Sequence, residues 1–326
     1  MRKELVMYEP CIDSYPIYGD LFSVLKLTDE AKYWICNNFI QLRKIEPVVF
    51  FEAYRSVLYN CPNISVSRVS RKILGHKYNK NLIQLIKDMI DMNYYIFLYV
   101  DRLYIKSYGM DHSHTHEFFV YGYDEEREVL LCADNIIGGK YTRFECSMEE
   151  VEKAYWGLPE ETYLTDIHCI STEFESDWYD TIRIDNIYKL FTEYMDSANT
   201  INFGERFRVK DTGFSLQEKE IEKLKGQEIE HVDLRPFCVF KEHKYLMIFR
   251  LEMLNNYLKT DDFTQFITAY QTIKNEYRLI ISLGIKFNLI HDKILLQRII
   301  LHGELAIMSE KNILNSLKMT LMNYID

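Results

Sequence analysis

Residues 111–134, DHSHTHEFFVYGYDEEREVLLCAD, decide how this chain is read. His116 to Tyr123 is rich in aromatic and β-branched side chains, Asp124 to Glu128 is a charged turn, and Val129 to Ala133 returns as an apolar run. The pattern predicts an antiparallel hairpin. His116 opens its first strand and Asp134 closes its second, so pairing brings them together although they stand 134 − 116 = 18 positions apart. A carboxylate that holds an imidazole in one tautomer supplies two members of a nucleophilic triad.

The third member would be a nucleophile, and Cys11 is the candidate. It lies in Tyr8-Glu9-Pro10-Cys11-Ile12-Asp13-Ser14-Tyr15-Pro16, ahead of an apolar-periodic run of Leu21, Phe22, Val24, Leu25 and Leu27. Pro16 suits a first helical turn. A helix beginning just after Cys11 would set the thiol against unsatisfied N–H groups, which favours thiolate and offers oxyanion donors. A buried, inert cysteine is the competing reading.

Two other readings stand beside the triad. Asp111, His112, His114 and His116 are dense in metal-ligating types, and alternate strand residues share a face. No HExxH or similar spacing accompanies them, so no native metal is expected. The plainer reading makes His112 and His114 solvated loop residues and His116 a satisfied core histidine. For His116, the matching position of Asp134 weighs against it.

Bulk properties narrow the function classes. With 326 residues, 48% hydrophobic and 27% charged, the chain has globular composition and room for one large or two ordinary domains. Its net charge of -10 argues against a nucleic-acid partner, which needs a basic face. The first residues lack an apolar signal core, and no run of about 18 apolar residues occurs. No membrane partner is expected. Seven cysteines without CxxC spacing fit neither structural zinc nor a disulfide framework, so a reduced, cytoplasmic protein is expected.

Along the chain, Trp34 to Leu42 forms an apolar segment and Pro47 to Phe51 a short strand. Asn81 to Met92 has helical spacing and leads into an unbroken apolar strand, Tyr94 to Val100. Lys140 to Cys146 and Tyr163 to Phe174 read as further strands, with a capping box at Ser147-Met148-Glu149-Glu150 between them. Beyond Ile184 helical periodicity dominates, over Asp185–Met195, Leu216–Leu224, Glu242–Leu258, Phe263–Leu283, Asp292–Ile307 and Lys311–Tyr324. These elements predict an α+β fold: a catalytic domain over 1–175 with an antiparallel sheet, then a mainly helical domain over 176–326 packing on it. Arg235 and His243 are candidates for lining a cleft between the two.

The string from His116 to Asp124, followed by Leu131-Cys132-Ala133-Asp134, resembles the histidine and aspartate strands of papain-like cysteine enzymes. Within them it is most similar to the butirosin H-type acyltransferases of antibiotic assembly and to the cysteine-protease-like amide synthetases of closthioamide biosynthesis. Asp233 to Met247 also resembles the helical half that follows this module. The resemblance implies a papain-like fold with Cys11 as nucleophile, His116 as base and Asp134 as its orienter. It implies an acyl chain taken from an acyl or peptidyl carrier protein, through a cysteinyl thioester, to a small amine, giving an amide. A thioester is already an activated donor, so no cofactor is needed. Tyr8, Tyr18, His114, Arg235 and His243 are the candidates for touching substrate. A cysteine peptidase or amidase, or an inactive peptide- or carrier-binding protein, are the alternatives. The resemblance departs at the N-terminus. The family's cysteine sits directly at a helix start, Tyr18 lies nearer that position than Cys11, and no upstream glutamine completes an oxyanion hole. Tyr8 or backbone N–H groups would have to serve.

Overall fold

The structure is a computed structural model that describes residues 1–45, 47–51, 57–159, 163–173, 180–198, 211–226 and 228–325. Its strands are β1 Arg2–Glu4, β2 Leu42–Ile45, β3 Val48–Phe51, β4 Ser65–Val69, β5 Tyr95–Asp101, β6 Thr115–Asp124, β7 Val129–Ile137, β8 Lys140–Ser147, β9 Ile167–Ser171 and β10 Asp211–Thr212. Its helices are α1 Pro16–Val24, α2 Asp29–Asn37, α3 Val57–Asn60, α4 Arg71–Lys77, α5 Leu82–Asp91, α6 Met148–Trp156, α7 Ile184–Met195, α8 Ser215–Lys223, α9 Arg235–Leu258, α10 Thr264–Ile290 and α11 Lys293–Met322. This is an α+β chain with antiparallel sheets and a helical C-terminal part, as its periodicities predict.

Two compact units divide the chain: Met1–Ala31 with Arg55–Trp178, and Lys32–Tyr54 with Tyr179–Asp326. The expected cut after residue 175 falls outside the described residues. The second unit also takes back residues 32–54, an excursion that no local pattern announces.

In the first unit the strands run in the order β4-β9-β5-β6-β7-β8, with β1 adding to β6 beyond the end of β5. The β6–β7 hairpin turns where the Asp124 carboxylate accepts from the amides of Glu126 and Arg127 and Glu128 adopts φ 53. A bulge between Val120 and Gly122 shifts the register. Glycine is required there because a Cβ would stand 2.6 Å from the Lys3 carbonyl oxygen of β1. Helix α5 opens on Asn81, which accepts from the Gln84 amide, and α6 on the capping box of Ser147 and Glu150. Both helices pack one face of the sheet. Leu85, Ile86, Val151 and Ala154 meet Leu98, Phe118, Val120 and Cys132 there in a fully buried cluster. The strand expected over Tyr163 to Phe174 is shorter than its apolar run: Tyr163–Thr165 forms a 3₁₀ turn, β9 covers Ile167–Ser171, and Phe174 lies outside the described residues.

The second unit combines helices α7 to α11 with a small antiparallel sheet ordered β10-β2-β3. Helix α9 starts at Arg235 rather than Glu242, because Pro236 falls in its first turn, where a missing N–H costs nothing. Helix α10 continues past Gly284 to Ile290. Leu234 Cδ2 occupies the space that a Cβ at Gly284 would take, at 2.4 Å. The two helices expected on either side of Ser309-Glu310 are one, α11. Glu310 is fully buried rather than a surface break, and Lys244 Nζ donates to both its oxygens at 2.7 and 2.6 Å. Gln217 and Tyr194 also donate to Glu310, at 3.0 and 3.1 Å, so four helices share one buried ion pair.

Candidate functional site

Alternation along β6 and β7 sorts the hairpin's side chains onto two faces. The register pairs Phe119 with Ala133 and Val120 with Cys132. His116, Phe118 and Asp134 therefore share the face that α5 and α6 cover, and Glu117, Phe119, Ala133 and Asn135 point the other way.

On the first of these faces the predicted pair forms. His116 Nε2 donates to Asp134 Oδ1 at 3.2 Å, with the histidine 20% exposed and the aspartate fully buried. An Nε2–H on the carboxylate leaves Nδ1 as the acceptor nitrogen of the neutral ring. The other carboxylate oxygen accepts from the Tyr108 hydroxyl and from Arg102 Nη2 at 3.4 Å, and the Asn135 amide donates to Oδ1 at 2.6 Å. Burial pushes the Asp134 carboxyl up. The His116 bond and charge, the Tyr108 bond and the Arg102 charge more than offset this and hold it below the usual aspartate value. Tyr108 is held protonated, first by burial and then by the negative charge of Asp134.

Arg102 and Tyr108 come from two 3₁₀ turns, Arg102–Tyr104 and Lys106–Tyr108, and the guanidinium lies 4.4 Å from the Tyr108 ring centroid. Asp101 positions this segment by accepting from the Leu103 amide, the His114 amide and the Ser113 hydroxyl. None of these three residues stands out in the sequence. The only signal is an aspartate at the end of a buried strand followed by a short, aperiodic stretch.

The segment that carries Cys11 is held on the other face. The Tyr95 hydroxyl, whose ring stacks on Phe119, donates to the Val6 carbonyl at 2.5 Å. Arg143 Nη2 donates to the carbonyls of Met7 and Tyr8 at 3.1 and 3.3 Å, and Asn135 Nδ2 to the carbonyl of Asp13 at 2.7 Å. The Tyr141 hydroxyl donates to Asp20 of α1 at 2.8 Å. Tyr95, Asn135, Tyr141 and Arg143 all project from the face opposite His116 and Asp134, so the chain from Val6 to α1 crosses that opposite face. Cys11 lies between two of its tethers and is partly buried. It does not enter the helix: α1 begins at Pro16, with Tyr15 as its N-cap. The expectation of a helix beginning just after Cys11 is corrected accordingly, because the unsatisfied N–H groups belong to residues further on.

The remaining candidates scatter. Tyr8 is exposed and tied by its amide to the Ser23 carbonyl at 2.6 Å, whereas Tyr18 is fully buried in α1. His114 is exposed and stacks beside His116 with ring centroids 6.2 Å apart, the one secondary candidate that adjoins the pair. Partial burial, then the charges of Arg102 and His116, lower its pKa. Arg235 is bound to Asp233 on the surface of the second unit. His243 is fully buried within that unit, hydrogen-bonded to the Ile40 carbonyl at 2.8 Å, so it does not line a cleft. Burial and the adjacent Lys244 push its pKa far down.

Among the described residues, no group of three or more His, Cys, Asp or Glu side chains is arranged to hold a metal ion. His112 is turned onto its neighbour Asp111 at 2.7 Å. No helix among them is long and apolar enough to cross a membrane. No protein-family model matches the chain, and no curated protein matches its sequence.

Proposed function

We propose that the first unit is a papain-like scaffold of the antibiotic-assembly acyltransferase kind, working in the cytoplasm, and that it forms amides with His116 and Asp134 but without a thioester on Cys11. The carrier-bound acyl donor and the amine acceptor follow from the resemblance of the hairpin. The single observation that carries the change of mechanism is the placement of His116 and of the Cys11 segment on opposite faces of one sheet.

In this reading the amine nitrogen attacks the thioester carbonyl directly. The N–C bond forms, His116 Nδ1 takes the proton released by the amine, and the C–S bond breaks. The carrier thiolate then leaves and recovers a proton from the imidazolium. Asp134 keeps the ring in the required tautomer and stabilises its positive charge. Nucleophilic catalysis by Cys11, with the same substrates, is the reading this one displaces.

The two separate with an octanoyl N-acetylcysteamine thioester and a primary amine, followed by mass spectrometry of protein and product. Direct transfer expects amide formation that survives Cys11→Ala, falls by about a hundredfold in His116→Ala, and leaves no acyl adduct on the protein. An adduct on Cys11 that vanishes in Cys11→Ala would overturn it. A second reading, a carrier- or peptide-binding protein without turnover, is favoured by the same separation of thiol and imidazole. It is the correct one if the thioester binds and no amide forms.

A further inference from the structure

Arg102 has more hydrogen-bonding capacity than the fold uses. Of the five N–H groups on a guanidinium, one is engaged here, on Asp134 Oδ2, and at 3.4 Å that contact is long for a charge-assisted bond. Nε is buried and has no partner among the described residues. Asp134 has little need of this arginine, because its oxygens already accept from His116, Tyr108 and the Asn135 amide. Asp101, the other carboxylate of the segment, is spent on Leu103, Ser113 and His114.

Position gives the spare donors a use. The guanidinium lies 4.4 Å from the centre of the Tyr108 ring, and the His116 ring meets the same tyrosine edge to face at 6.3 Å. The arginine is 17% exposed and the histidine 20%, so neither is sealed from solvent. The exposed His114, stacked beside His116, feels the Arg102 charge as well. A planar fork of donors next to an accessible imidazole suits a carboxylate, which it can hold through two parallel bonds.

We infer that Arg102 seats the carboxylate of the amine acceptor, which is therefore a short amino acid. Such a seat builds on the amide-forming role proposed for His116, to whose Nδ1 the acceptor nitrogen must come. With its carboxylate on Arg102, an amino acid carries its nitrogen only a few atoms away, toward the imidazole. Binding at the arginine then orients the attack. The phosphate of a carrier's phosphopantetheine arm fits poorly. It stands at the far end of the arm from the thioester, whereas Arg102 and His116 adjoin one tyrosine ring.

The test uses the full chain, octanoyl N-acetylcysteamine thioester as donor, and two acceptors of equal length, β-alanine and propylamine. β-Alanine should be acylated with a kcat/KM about tenfold or more above that of propylamine, the difference lying in KM. Arg102→Met should bring the ratio of the two near one. Arg102→Lys should restore part of it, since an ammonium keeps the charge and loses the fork. The ratio is the readout because any loss through Asp134 falls on both acceptors alike. Without donor, calorimetry should show β-alanine binding that weakens about tenfold in Arg102→Met. If β-alanine binds in this way and neither amine is acylated, the amide-forming reading falls and the carboxylate seat stands. If both amines are acylated equally and Arg102→Met leaves their ratio unmoved, the seat falls and the reading stands. The seat also falls if Arg102 instead favours a glutaryl over a pentanoyl thioester, or if inorganic phosphate binds more tightly than β-alanine.

Discussion

The Tyr108 hydroxyl donates to the oxygen of Asp134 that His116 does not use, so the buried carboxylate is held from both sides. Removing that hydroxyl by Tyr108→Phe should cost about 1.5–3 kcal/mol of stability, the usual loss for a hydrogen bond to a charged group. It should also raise the pKa of Asp134, readable from the carboxyl resonance in a pH titration followed by NMR. An unchanged carboxyl pKa would show that Arg102 and His116 alone set it.

The pH dependence of stability has a definite sign here. Asp134 has a folded-state pKa below its ordinary value. It therefore contributes stability that is present above about pH 3.9 and is lost as the pH falls through the lowered folded value. Asp134→Asn should flatten the acid limb of a plot of melting temperature against pH and leave the neutral region with the same slope. A limb as steep as in the unaltered protein would assign acid sensitivity to other carboxylates.

Thiol reactivity reports the placement of Cys11 independently of any substrate. Burial pushes Cys36 and Cys61 up to about 12 and holds Cys132 high, so those thiols should alkylate slowly at neutral pH. Cys11 is partly buried and lies ahead of the first helical turn. Iodoacetamide labelling read by peptide mass spectrometry should find it within a fewfold of Cys238, the other partly buried cysteine. A rate more than tenfold faster would mean that the thiol is activated after all.

The Lys244–Glu310 pair predicts non-additive mutations. Lys244→Met alone leaves a buried carboxylate without its ammonium and should cost about 3–5 kcal/mol. Combining it with Glu310→Leu should recover most of that loss, because each removed charge no longer strands the other. Denaturant unfolding of the two single variants and the double variant measures the coupling. Additive losses would show that the network acts as separate contacts.

Gly19 offers a packing test on the α1 side of the sheet. A Cβ there would stand 2.3 Å from the ring of Tyr141, which is itself anchored to Asp20. Gly19→Ala should cost about 1–3 kcal/mol through overpacking, outweighing the gain in helix propensity. A thermal melt that rises in this variant would indicate that the ring can move aside.

Much of this was legible in the residues. The hairpin, its turn and the His116–Asp134 meeting follow from alternation and antiparallel pairing, which are local. Alternation also assigns both side chains to one face. It cannot tell which face a distant loop will cross, and that choice decides the fate of Cys11. Arg102, Tyr108 and Asp101 escaped notice because a pair of 3₁₀ turns has no periodicity to detect. Glu310 misled in a different way: a carboxylate inside a long apolar helix reads as a break until its buried lysine, 66 positions away, is in view. The return of residues 32–54 to the second unit is likewise a non-local outcome of pairing β2 with β10.

The tethers of the N-terminal segment have one more consequence. Tyr95, Arg143 and Asn135 grip it through the main-chain oxygens of Val6, Met7, Tyr8 and Asp13. Any amino acid carries such an oxygen. Those four oxygens fix the course of the main chain, while Ile12, 1% exposed, buries its side chain between the grips at Tyr8 and Asp13. The path of the strap is therefore written in the gripping side chains of the sheet rather than in the residues they grip.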